Sequence, residues 1–171
     1  MRKLEQQGLY FPEYEHDNCG AGFICSLEGK TSNDIIHKAL EILDKLEHRG
    51  AVSSDGKTGD GAGILIDIPH AFFVEECGFE LPKAGDYAVA NVFLPQKSNQ
   101  REFCMKTLEA NINAQGLTLL GWRTVPVNRS VPGRIATETE PFISQIFIAK
   151  ADEKQSIDEF NRQLFIAPKK T

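Results

Sequence analysis

Apolar and polar positions take turns along several stretches of this chain and recur at helical spacing in the stretches between. Residues 19–27 (CGAGFICSL) set Cys19, Ala21, Phe23, Cys25 and Leu27 on one side of an extended chain, with Gly20, Gly22, Ile24 and Ser26 on the other. That texture predicts a buried strand. The glycines at 20 and 22 weaken it and point to a close approach by another group. Glu28-Gly29-Lys30 marks a turn, and Ser32 and Asn33 are candidate N-caps. Ile35, Ile36, Ala39, Leu40, Leu43 and Leu46 then follow one helical face, which predicts a helix over 34–47 with Gly50 just past its end.

Residues 51–63 (AVSSDGKTGDGAG) hold four glycines and show no period, so they read as a loop. A short strand is expected over 64–69, a helical turn or two around 70–77, a strand over 87–94 and a helix over 98–115 ended by Gly116. A strand within 117–127 precedes a Pro- and Gly-bearing loop over 125–140; a strand over 142–150 and a helix over 156–164 follow. The order β-α-β-α-β-α-β-β-α predicts a layered α+β domain. The final residues, LFIAPKKT, read as the start of a further strand without a partner, which suggests a truncated chain.

Composition narrows the function classes. The 171 residues are 41% apolar and 25% charged, ordinary for a soluble globular protein. A net charge of −5, with Lys and Arg scattered, leaves no basic footprint for nucleic acid and no polybasic membrane patch. No apolar run approaches the roughly 18 residues that span a bilayer. Residues 1–18 contain no hydrophobic segment of a secretory signal, and their acidic residues argue against a transit peptide, so the cytoplasm is the expected compartment. Cysteines at 19, 25, 77 and 104 form no CxxC pair and have no His at zinc-finger distance, which argues against a metal site. A disulfide framework is not expected in a cytosolic chain of this size.

Three places carry candidate chemistry. Cys19 stands where the texture changes, with Asp17-Asn18 ahead and Gly20 behind. A cut between Asn18 and Cys19 would place a thiol and an α-amine on one residue. An amine with a reference pKa near 8 serves as a base at neutral pH, and its charged form favours the thiolate. The competing reading makes Cys19 a small buried hydrophobe. Arg49, in His48-Arg49-Gly50, either reaches towards the cysteine or a carboxylate-bearing ligand, or pairs with Glu47 or the carbonyls of the helix end. His48 beside it reads as structural. The third place, residues 58–63 (TGDGAG), lacks GxxxxGK[ST] and a complete GxGxxG, and Asp60 would repel a phosphate, so it is no phosphate loop. Its glycines permit a tight backbone path beside a pocket, or simply a strained turn.

Taken in order, CGAGFI at 19–24, HRGA at 48–51 and TGDGAGIL at 58–65 resemble the opening of class II glutamine amidotransferases, above all the N-terminus of the glutamate synthase large chain. DIPHAFF at 67–73 also looks like that family. The resemblance continues more loosely through VFLP at 92–95, GWR.VPV at 121–127 and PFISQIFI, and so covers nearly the whole chain. It implies an N-terminal-nucleophile hydrolase fold, a four-layer αββα sandwich, present here as its N-terminal part over residues 19–171. Residues 1–18 become a leader whose removal makes Cys19 the first residue and the nucleophile.

The implied reaction is attack of Cys19 on the side-chain amide of L-glutamine, giving a glutamyl thioester, ammonia and then glutamate. Arg49 and Gly50 line the nucleophile's surroundings, and the loop with Gly59, Asp60 and Gly61 packs nearby. No metal is implied, and no cofactor in this segment. FMN and an iron–sulfur cluster belong to the rest of a full-length synthase, where ammonia aminates 2-oxoglutarate. The implied partners are that remaining chain, or another ammonia-accepting synthase domain, and a small electron-donating subunit. The family's HNGE-like oxyanion motif and RFSTNT-like carboxylate motif do not occur in these residues and are expected beyond Thr171. The chain alone is therefore expected to lack useful glutaminase activity. The remaining alternatives are a stand-alone class II amidotransferase subunit and a non-catalytic module with a structural cysteine.

Overall fold

A computed structural model describes residues 20–30, 32–152 and 154–170. Packing divides the chain into two units, Met1–Leu65 and Ile66–Thr171.

The second unit is built on a three-stranded antiparallel sheet. Its strands are β1 (Tyr87–Leu94), β2 (Thr118–Thr124) and β3 (Phe142–Ala149), in the spatial order β1-β3-β2. The sequence pattern finds both β1 and β3, but it reads β3 as alternating. In fact Ile146, Phe147, Ile148 and Ala149 are buried consecutively. A central strand covered on both faces needs apolar residues at every position, so alternation disappears where the core is deepest.

Helix α3 (Ser98–Ala114) and helix α5 (Ile157–Ile166) cover one face. Ile146 and Ile148 of β3 meet Ile112 and Leu108 of α3, and Phe160 and Leu164 of α5. Helix α2 (His70–Glu76) supplies Phe73 to the other face, where Phe147, Tyr87, Phe79 and Leu81 gather. Phe147 is fully buried and meets Phe73 edge-on at 5.0 Å and Phe79 edge-on at 5.3 Å. Strand β2 departs from even register between Leu119 and Gly121. The irregularity brings Gly121 opposite Phe147 and under the Phe79 ring; a β-carbon there would lie 2.6 Å from Phe79 Cε1. Only glycine fits that contact without repacking.

Two further expectations fail in this unit. Residues 164–171 were expected to begin a strand, yet α5 runs to Ile166 and a 3₁₀ turn, Ala167–Lys170, follows. Phe160, Leu164 and Ala167 recur at helical spacing, and Phe160 and Ala167 are both 2% exposed in the α3 side of the core. The helical period therefore outweighs the short apolar run. The loop expected over 125–140 contains a short helix, α4 (Arg134–Glu138). The order of elements accordingly differs from the expected one, although the α+β mixture stands.

The first unit contains α1 (Asn33–Leu46), which Ser32 caps by accepting a hydrogen bond from the Asp34 backbone N–H at 3.2 Å. Asp34 in the first turn and Lys45 in the last suit the helix dipole. Its ion pairs Lys38–Asp34 and Lys45–Glu41 are exposed, where water screens them to little effect. A 3₁₀ turn, Glu47–Arg49, extends the helix before Gly50. Among the described residues of this unit none is buried.

The strands expected at 19–27 and 64–69 are not formed among the described residues of those stretches. Phe23 is 91% exposed, Leu27 98% and Leu65 101%. A strand exists only through a hydrogen-bonded neighbour, and no described segment pairs with either stretch. The side-chain pattern there reports β character that is left unpaired among the described residues.

Candidate active site

Cys19, the expected nucleophile, and residues 1–18, the expected leader, lie outside the described residues. The segment that follows Cys19 does not. Gly20 and Gly22 pass over α1 so closely that side chains would collide. A β-carbon on Gly20 would lie 3.1 Å from Leu46 Cδ2 and 3.4 Å from Arg49 Cδ, and one on Gly22 would lie 2.6 Å from Ile42 Cγ2. The close approach expected from these glycines thus comes from the apolar face of α1. Ile42 escaped the sequence reading, although its offsets from Ile35 and Leu46 are those of a shared helical face.

Arg49 stands just past α1, and its aliphatic stem runs beside Gly20, the residue bonded to Cys19. Gly50 caps the 3₁₀ turn, donating its backbone N–H to the Glu47 carbonyl at 3.0 Å. Its φ of −87° is extended, so it does not end the helix in the left-handed conformation.

Residues 51–60 fold back on themselves. Val52 and Gly59 form an isolated antiparallel bridge, and the Ser53 N–H donates to the Thr58 carbonyl at 2.7 Å. Asp55 organises the tip: one carboxylate oxygen accepts from the Lys57 and Thr58 N–H groups at 3.1 and 2.8 Å, the other from the Thr58 hydroxyl at 2.7 Å. At the base, Asp60 Oδ2 accepts the Ala51 N–H at 2.8 Å. HRGA and TGDGAG, read as two motifs, are therefore the two arms of one closed loop. Sequence reasoning missed the parts of Asp55 and of the Asp60 tie. An Asp two residues before Lys57 in an SSDGKT turn was the available signal.

The other thiols are placed differently. Cys25 is exposed and Cys104 is half-buried. Cys77 borders a cleft of about 510 Å³ with Val74, Gly78, Phe79, Glu80 and Leu81. Burial pushes the Cys77 thiol up, against the nearby Arg123 charge, and likewise raises the Tyr87 phenol. Such a thiol is a poor nucleophile at neutral pH. Among the described residues no group of three or more His, Cys, Asp or Glu side chains could hold a metal ion, and no helix is long and apolar enough to cross a membrane.

Comparison with known proteins draws these features together. The family of class-II glutamine amidotransferases matches residues 19–171. The chain is 44% identical over 164 residues to "Glutamate synthase [NADPH] large chain" of Bacillus subtilis, covering 95% of this chain and 11% of that protein. It is 44% identical over 170 residues to "Glutamate synthase [NADH]" of Saccharomyces cerevisiae, covering 94% and 8%. Against "Ferredoxin-dependent glutamate synthase 2" of Synechocystis it is 38% identical over 156 residues, covering 90% and 10%. The chain thus spans about a tenth of the length of these relatives. With the match running from Cys19 to Thr171, the chain belongs to the class-II glutamine amidotransferases.

Proposed function

We propose that this chain is the N-terminal part of the glutaminase domain of a cytoplasmic glutamate synthase, with Cys19 as its nucleophile. The observation that carries the reading is the starting point of the family match, which falls on Cys19 itself. The passage of Arg49 beside Gly20 supports it from the structure. Residues 1–18 act as a leader. Its removal exposes the Cys19 α-amine, which takes the thiol proton. The domain architecture we infer is the four-layer αββα sandwich, of which the β1-β3-β2 sheet and its helices form part.

In the reaction the Cys19 sulfur bonds to the amide carbon of glutamine, and the carbonyl becomes a tetrahedral oxyanion. The α-ammonium returns its proton to the departing nitrogen as the C–N bond breaks, releasing ammonia and leaving a γ-glutamyl thioester. Water then gives a proton to the amine and attacks the thioester, and glutamate leaves as the thiol is restored. Arg49 and Gly50 flank the nucleophile, while the loop with Gly59, Asp60 and Gly61 closes beside it. In the whole synthase the ammonia aminates 2-oxoglutarate, with FMN and an iron–sulfur cluster of the remaining chain supplying the reduction and a small partner subunit passing electrons in.

Glutamate release from glutamine tests this reading. The full-length protein is expected to turn over, whereas the isolated 171-residue chain should fall below it by at least about 10²-fold, the typical cost of losing one oxyanion donor. A full-length protein that releases no glutamate contradicts the proposal.

A further inference from the structure

We propose that Asp60 is a positioning residue for the glutaminase reaction: by holding the Ala51 N–H it fixes the turn that presents Arg49 beside Gly20, the residue that follows the proposed nucleophile in the chain. The inference rests on the proposed role of Cys19 and adds to it the part that sets the geometry.

Three observations converge on it. The Asp60 carboxylate accepts the Ala51 N–H at 2.8 Å, which ties the TGDGAG arm to the residue that follows Arg49-Gly50. Next to that tie Gly59 bridges Val52, and a β-carbon on Gly59 would lie 3.3 Å from the Ala51 carbonyl oxygen, so the two arms are pressed together there. At the other end of the same short segment, the Arg49 stem lies 3.4 Å from the β-carbon position of Gly20, one peptide from Cys19. No described residue of this unit is buried, so the described side chains do not hold the loop by hydrophobic packing. Hydrogen bonds do, and a carboxylate acceptor makes a stronger one than a neutral oxygen. Releasing Ala51 removes the tie at the base of the loop and loosens the turn that carries Arg49 past Gly20, while Gly50 keeps its bond to the Glu47 carbonyl. The Asp55-organised tip stays closed, because its bonds do not involve Asp60.

The test uses the full-length synthase carrying Asp60→Ala, Asp60→Asn or Gly59→Ala, assayed for glutamine hydrolysis, with thermal unfolding followed in parallel. Displacements of about 1 Å near a reacting centre cost up to roughly 10²-fold, so Asp60→Ala should lower kcat at least about tenfold. KM for glutamine should stay within about threefold, because the loss falls on the chemical step rather than on uniform binding. Asp60→Asn keeps an acceptor oxygen and should recover most of kcat. Gly59→Ala, whose β-carbon would crowd the Ala51 carbonyl by a few tenths of an ångström, should lower kcat in the same direction as Asp60→Ala, by less. An unchanged kcat in Asp60→Ala, or an Asn variant no better than Ala, overturns the proposal. Should the Ala variant fail to fold, Gly59→Ala decides: a lowered kcat with an unchanged KM supports the positioning role, and a native kcat overturns it. Cys19→Ala, assayed alongside, separates the two ideas. If it is inactive while Asp60→Ala is normal, only the positioning role falls; if it remains active, the glutaminase reading itself falls.

Discussion

With Cys19 as the proposed nucleophile, glutamine hydrolysis by the full-length protein should fall by about 10⁴-fold or more in Cys19→Ala, because the covalent route disappears. Cys19→Ser should also stay well below the native rate, since a hydroxyl is a far weaker nucleophile than a thiolate at neutral pH. The comparison that makes this informative is Cys25→Ala. Cys25 is exposed and lies six positions along the same segment, so a general requirement for a thiol in this region would affect both variants. The expected pattern is loss at 19 and near-native turnover at 25. Substantial hydrolysis by Cys19→Ala removes the nucleophile from the mechanism.

The second large effect concerns the scaffold. Phe147 is fully buried, meets Phe73 and Phe79 edge-on, and stacks on Tyr87 at 6.3 Å. Phe147→Ala opens a cavity between the sheet and α2 and should cost about 3–5 kcal/mol, the range for deleting a buried aromatic ring. The lost edge-on pairs lie at the upper part of that range. Phe103 on α3 is 72% exposed, and Phe103→Ala should change stability by no more than about 0.5 kcal/mol. Urea denaturation of the two variants measures the difference. A Phe147→Ala cost below about 1 kcal/mol would mean that this aromatic cluster does not hold the sheet.

The contrast between the two units explains what the sequence could convey. Strands β1 and β3, the cap at Ser32 and α3 are legible because their patterns act locally or are satisfied within the chain. Ser32 needs only Asp34, and β3 finds neighbours on both sides. Residues 19–27 and 64–69 carry strand-like patterns just as clearly, but no described segment pairs with them, and Leu27 and Leu65 stand exposed. A pattern records a preference for a face; it does not supply the neighbour. The reverse error occurs at 164–171, where a short apolar run suggests a strand while Phe160, Leu164 and Ala167 continue a helix into the core.

Site legibility divides in the same way. Cys19, Arg49 and the glycine-rich loop stand as candidates on the order and spacing of three short motifs. The tie that Asp60 makes within the loop does not, because it depends on which backbone N–H its carboxylate finds. Sequence alone left that loop between a pocket wall and a strained turn. The Ala51–Asp60 bond shows a loop closed at its base.

Mass analysis of the N-terminal peptide of the natural full-length protein, acid-quenched during turnover with glutamine, tests the central claim most directly. The expected result is a first residue of Cys19, with a fraction of the peptide carrying one added glutamyl group on sulfur. A protein that hydrolyses glutamine while residues 1–18 remain attached would contradict it.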